Sequence, residues 1–264
     1  MQTQPKPPIY YGETAPCETG DYVTCYWHWR VRADIGPFTH SIPPDGSISL
    51  WFVHGVGFGV MGPQTQPLSV PSRGGDRCWG VRFWPGAAGC VLPFDPKTLR
   101  NRMRVSSIAE IGDWLEPVRD GLIADPSESD AAQLWEQALA EPLSKKQSVD
   151  PIVAEASTTI LRLAGKLTIA ELGPSLKISA RQLRRRFRSA TGLNPKELAR
   201  IARVRTSLMD ALFREEWAQL AAEHGFADQA HLIREYQRAL GDPPQQAMRR
   251  LRAIRHGALT ANQG

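Results

Sequence analysis

Five arginines fall within eight residues, between Arg181 and Arg188. A guanidinium is a planar fork of N–H donors that fits phosphate oxygens and the O6/N7 edge of guanine. Leu183 and Phe187 stand four apart and share an inner helical face with Ile178. Arg181, Gln182, Arg184, Arg185 and Arg188 are therefore left outward. Like charges this close repel on an isolated helix, and a polyanion facing them removes the repulsion. About fifty residues on, a second helical pattern turns Leu232, Tyr236 and Ala239 or Leu240 inward. It leaves Ala230, His231, Arg234 and Arg238 outward.

Each outward-facing helix is preceded by a shorter one, which makes two helix-turn-helix units, 167–190 and 217–240. Such a unit lays its second helix in a major groove. In the first, Thr168 caps a support helix running to about Leu176, and Ser179 caps the reading helix. In the second, Trp217, Leu220 and Ala221 form the inner stripe of the support helix. Gly225 takes the turn, Phe226 packs inward and Asp228 caps the reading helix. Between the units, Pro195 to Phe213 reads as one long helix with Pro in its first turn, which would hold them in register.

Charge follows this division. Residues 1–150 hold 13 Lys and Arg against 17 Asp and Glu, and residues 151–264 hold 19 against 10, so a net of −4 precedes a net of +9. The basic half has 16 Arg and 3 Lys. A solvated charged face would carry the same charge, so the motifs, not the charge, carry the argument.

The segments LRRRFRSATGLNPKELARIARV and GFADQAHLIREYQRALGDPP resemble the end of the first unit and the second-unit signature of the AraC/XylS family of bacterial transcription regulators. The resemblance covers about residues 152–254. It implies base-facing roles for Arg181, Arg184 and Arg185 in the first unit and for Gln229, Ala230, His231 and Arg234 in the second. Arg186, Arg188, Arg205 and Arg238 fall to phosphate contacts or structural ion pairs. The sequence departs from the family at Lys177, where a turn glycine is usual, and at Asp242-Pro243. Gly173-Pro174 falls inside the first support helix, where proline breaks the hydrogen-bond ladder, so a short or distorted helix is expected.

The first half reads differently. Residues 1–20 are rich in proline and read as an extended arm. CYWHWRVRA, SISLWFVHGVGFGVM, PLSV and CWGVRFW are short strands, with turns at PPDG and SRGGD. GAAGCVL reads as a short helix after Pro85. Residues 108–123 and 128–141 show helical spacing, and PLSKKQSVDP reads as a linker. This half resembles the cupin-like sensor domains that precede such DNA-binding modules, and more narrowly an uncharacterised one of them. Trp27, Trp29, Trp51 and Trp84 either line an apolar pocket, with His54, Arg82 or His28 as polar anchors, or fill the core. Leu115, Val118, Leu122 and Trp135 form either a seam between two protomers or an intramolecular core.

Catalysis is not supported. His28, His40 and His54 stand apart with no HxH pair for a cupin metal, and GxSxG, P-loop and HExxH motifs are absent. No metal ligands or cofactors are expected. Cys17, Cys25, Cys78 and Cys90 form no CxxC pair and read as free thiols of a reducing cytoplasm. No stretch is apolar and long enough to span a membrane, and the N-terminus lacks a secretion signal.

The expected fold is α+β in two domains. Residues 1–141 form a cupin-like β-barrel or sandwich with helices, 142–151 a linker, and 152–256 an all-α domain with tandem helix-turn-helix units. The expected function is that of a cytoplasmic regulator binding double-stranded promoter DNA. Further expected partners are RNA polymerase, a small-molecule effector bound at Trp27, Trp29, Trp51, His54 and Trp84 if the aromatic residues line a pocket, and a second copy of the chain. The alternative is a constitutive regulator whose first domain is only structural or dimerising.

Overall fold

The computed structural model describes residues 9–145, 148–214, 216–241, 245–246 and 248–249. The first half is built on β1 (Ile9–Thr14), β2 (Val23–Val31), β3 (Phe38–Ile42), β4 (Ser49–Val53), β5 (Gly57–Met61), β6 (Leu68–Ser72), β7 (Arg77–Phe83) and β8 (Met103–Val105). Six pair antiparallel in the order β1-β2-β7-β4-β5-β8, and β3 with β6 makes a separate ribbon. Residues 9–14, expected as extended arm, are an edge strand, and residues 1–8 lie outside the described part.

Side chains alternate across a strand, and here both faces are covered. Trp27, Trp29, Trp51 and Cys78 share one face, over which Phe38, Ile42 and Leu68 of the ribbon close. Tyr26, Phe52, Phe58, Trp79 and Phe83 occupy the other. Double burial explains why β2 reads as an almost unbroken aromatic run. The tryptophans need glycine opposite them. Trp27 pairs with Gly80 and Trp51 with Gly59. A methyl on Gly80 or Gly59 would fall 2.3 Å or 2.0 Å from the facing indole.

The second face packs on α2 (Ile108–Ile111), α3 (Glu116–Ile123) and α4 (Glu128–Lys145), after a short α1 (Pro96–Leu99). Leu115, Val118, Leu122 and Trp135 are buried together against the sheet. They are an intramolecular core, worth about 1.5–3 kcal/mol per large side chain, and are not left over for a seam between protomers. The span 108–123 is not one helix: Gly112 adopts φ 148° and ψ 145°, outside helical space, and a 3-10 turn follows before α3. GAAGCVL holds only a 3-10 turn, Ala88–Cys90. At the linker, α4 continues to Lys145 through Pro142, and the next helix begins at Pro151.

The second half contains α5 (Pro151–Arg162), α6 (Ile169–Ser175), α7 (Ala180–Thr191), α8 (Pro195–Ala211), α9 (Trp217–Glu223) and α10 (Gln229–Leu240). Two apolar cores share α8. Leu198, Ala199 and Ala202 pack with α5 and α7, while Val204, Leu208 and Ala211 pack with α9 and α10. One helix of about 25 Å therefore belongs to both units.

Candidate nucleic-acid interface

The reading helix of the first unit is fixed from both ends. Ser179 and Gln182 form a reciprocal capping box at its start. Leu183, Phe187 and Thr191 anchor its inner face, and Gly192 ends it in a left-handed conformation. Arg181, Arg184, Arg185 and Arg188 are exposed. Among the described residues none of the four makes an ion pair; Arg184 Nε donates to the Ala180 carbonyl of its own helix. Among the described residues no carboxylate pairs with this outer face.

Arg186 has another role. Its Nε and Nη2 donate to Asp150 at 2.8 and 2.6 Å. Asp150 also caps α5 by accepting from Ile152 and Val153. The Arg186 guanidinium holds the Asp150 carboxyl below its ordinary range. Arg186 ties α7 to α5 instead of presenting itself to a ligand.

Pro174 sits within the last turn of α6, and α6 is as long as its proline-free counterpart α9, seven residues each, so the expected shortening is not seen. Thr168 and Glu171 form a capping box, and the helix ends at Ser175. The turn then places Lys177 at φ 53°. The second unit has Gly225 at φ 69° in its turn, where the missing Cβ makes that conformation accessible.

In the second unit Asp228 Oδ1 accepts from His231 N. The His231 ring folds back, its Nδ1 accepting from Ala227 N at 3.2 Å and its plane edge-on to Phe226. His231 is thus half-buried in the cap, while Gln229, Ala230 and Arg234 are exposed. Arg238 pairs with the buried Glu235, which also pairs with Arg200 of α8.

Arg203, which no motif singled out, ties α8 to the α5–α6 turn and to the turn of the second unit. Its Nη2 donates to Gly165 O at 2.7 Å and its Nη1 to Gly225 O at 3.1 Å. The guanidinium also lies 5.9 Å from the Phe226 ring centre. It is one of three arginines on α8, with Arg200 and Arg205, so spacing alone did not set it apart.

The effector candidates do not converge. Trp27, Trp29 and Trp51 are packed together in the sheet interior. Trp84 lies elsewhere, where the two halves meet, and His54 is exposed in the β4–β5 turn. Of the polar anchors, His28 faces the helices, 3.0 Å from Glu128. Arg82 is engaged by Glu13 at 2.7 Å, by Asp45 at 2.8 Å and by Tyr11 at 3.1 Å. Cys17 is exposed, and Cys25, Cys78 and Cys90 are buried. Among the described residues no helix is long and apolar enough to cross a membrane. Asp242-Pro243 and residues 250–256 lie outside the described part.

A family model described as "Helix-turn-helix domain" matches residues 174–250, and one described as "Domain of unknown function (DUF6597)" matches residues 15–104. No curated protein matches the chain in sequence. Among solved structures the chain is similar to ToxT from Vibrio cholerae O395, at 10% identity and a TM-score of 0.46, covering 92% of this chain and 97% of that one. It is also similar to ToxT of Vibrio cholerae strain SCE256 with an unsaturated fatty acid bound, at 11% identity, a TM-score of 0.40 and coverage of 94% and 96%. A third similarity is to the xylose-binding transcription activator xylR, at 16% identity, a TM-score of 0.35 and coverage of 45% and 39%.

Proposed function

We propose that this chain is a DNA-binding transcription regulator of the AraC type, on the strength of its two helix-turn-helix units and the helix-turn-helix family model that matches residues 174–250. The two units read adjacent major-groove segments of one duplex, about one helical turn (~10 bp) apart. The reading is supported by two capped helices that share α8, each with outward polar side chains. Arg181, Arg184 and Arg185 face base edges in the first segment, where arginine favours guanine. Gln229, Ala230 and Arg234 do so in the second. Arg188 neutralises phosphate. His231 sets the cap of α10 and presents one ring edge beside those residues. Arg203 and α8 fix the spacing, so the two segments are read as one bipartite site.

The strand-rich half governs this reading by holding α8. Arg200 donates to the Thr65 carbonyl at 2.9 Å, and the turn at Gly46 packs on Leu198 and Ile201. A small molecule controls the regulator by binding one arrangement of the two halves better than another. RNA polymerase at the promoter is the partner such control acts upon.

Selection of binding sites from random DNA with the full-length chain tests the reading. A bipartite motif is expected. Arg184→Ala with Arg185→Ala should erase one half of it, and Arg234→Ala should blur the other. A single undivided motif insensitive to one of these changes would overturn the tandem reading.

A further inference from the structure

A cavity of about 460 Å³ lies at the seam between the two halves. Tyr22 and Trp84 wall it on the strand-rich side, and Ala154, Ser157 and Thr158 of α5 on the other. This volume is within the range of small-molecule sites, about 300–1,000 Å³. Trp84 is 37% exposed. Its ring is nonetheless fixed, because its Nε1 donates to Gly20 O and its backbone N to Tyr22 O, both at 2.9 Å. With the indole N–H already used, the ring offers a ligand its π face.

Charge decides the ligand class. Among the described residues Asp21 is the one charged residue lining the cavity; it is exposed and makes no ion pair with any of them. Two aromatic rings beside a carboxylate are suited to an organic cation: the rings attract it through their quadrupoles and the carboxylate by charge. An anion would meet Asp21 with no cation among the described lining residues to offset it. A wholly apolar ligand would strip water from Asp21 without replacing it.

We propose that this seam cavity binds a small organic cation, with an aromatic or quaternary ammonium head, and that occupation changes how α5 seats on the strand-rich half. The proposal rests on the reading of the chain as a ligand-controlled regulator and assigns that control a place. Ser157 Oγ donates to Pro85 O at 3.3 Å, and Gly86 packs on Val153. At its start α5 carries Asp150, which grips Arg186 of the reading helix by two hydrogen bonds. A shift of α5 is therefore passed to α7 within one ion pair.

The test is titration of the full-length chain with benzyltrimethylammonium, followed by calorimetry, with benzoate and benzyl alcohol as the anionic and neutral comparators. Saturable binding of the ammonium is expected. Asp21→Asn should weaken it about tenfold, as loss of a cation's carboxylate partner does. Thr158→Trp, placed on an exposed position of α5, should fill the cavity and abolish binding, as should Trp84→Ala. The ammonium should also shift affinity for the selected DNA by about fivefold or more. The proposal is overturned by tighter binding of benzoate, by ammonium binding indifferent to Asp21→Asn and Thr158→Trp, or by saturable binding that leaves DNA affinity unchanged. A bipartite motif selected without any ammonium keeps the DNA-reading model standing in each of those cases.

Discussion

Arg100 of the strand-rich half and Glu197 of the helix shared by both DNA-reading units meet at two points, with Nη1 3.1 Å from Oε2 and Nη2 2.5 Å from Oε1. The same carboxylate accepts from Asn194 N at 2.9 Å in the capping box that starts α8. One side chain thus both begins the helix and fastens it to the other half.

Removing Arg100 and removing Glu197 should then differ. Arg100→Ala loses a partly exposed pair, worth under about 1 kcal/mol. Glu197→Ala also deprives the Asn194 N–H of its acceptor, at a further cost of about 1 kcal/mol. Burial works to raise the Glu197 carboxyl, but Arg100, the Asn194 N–H and Arg200 together hold it below its ordinary 4.5. The carboxylate's contribution is therefore complete above pH 4.5 and lost as pH falls through its lower folded value. Thermal unfolding of wild type and Arg100→Ala should diverge at neutral pH and converge on acidification; parallel curves at every pH would refute the role of the pair.

Arg186 and Arg188 are two residues apart and should fail differently. Arg188→Ala should weaken binding to all DNA sequences and reduce the salt slope by about 1. Arg186→Ala should lower the melting temperature by freeing Asp150 and α5, with the salt slope nearly unchanged. Equal slopes in the two variants would mean that neither assignment holds.

Arg234→Ala should relax preference in the second half-site by about 1–3 kcal/mol per base pair read and leave the melting temperature where it was. Competition between the selected site and half-site mutants measures this. An unaltered ranking of sites would remove Arg234 from the reading surface.

Lys177 holds a left-handed backbone, φ 53°, that disfavours a side chain. Lys177→Gly should stabilise the chain by about 1 kcal/mol in denaturant unfolding, and Gly225→Ala should destabilise it by a similar amount. A neutral Lys177→Gly would show that its side chain offsets the strain.

Trp51 is 5% exposed and its indole N–H has no partner among the described residues. Trp51→Ala should cost about 3–5 kcal/mol through the cavity it leaves. Trp51→Phe should cost less, since it keeps a six-membered aromatic ring and removes an unpaired donor, leaving only the smaller void of the lost pyrrole ring. Ligand response should survive Trp51→Phe, because the seam cavity lies elsewhere. A response lost with Trp51→Phe at full stability would return the effector to the sheet interior.

The second half was legible in the sequence because its determinants are local. A cap at Thr168, Ser179 or Asp228, a helical stripe such as Leu183 with Phe187, and a turn glycine at Gly225 act within a few residues of themselves. Lys177 stood out only against the turn glycine usual in the family that the segment resembles, and its left-handed backbone came from the structure. The first half was legible only as strands and helices. Whether Trp27 and Trp51 lined a void or filled a core depended on Gly80 and Gly59, which long-range pairing brings beneath them. That Leu115, Val118, Leu122 and Trp135 face the sheet, and not a second copy, was likewise undecidable from spacing: a helical stripe shows that a face is buried, not what buries it. Tertiary structure alone assigned Arg186 to Asp150, Arg203 to the α5–α6 turn and the turn of the second unit, and Trp84 to the seam. Such assignments require groups distant in the chain to be brought within a few ångströms, and no one-dimensional pattern records that distance.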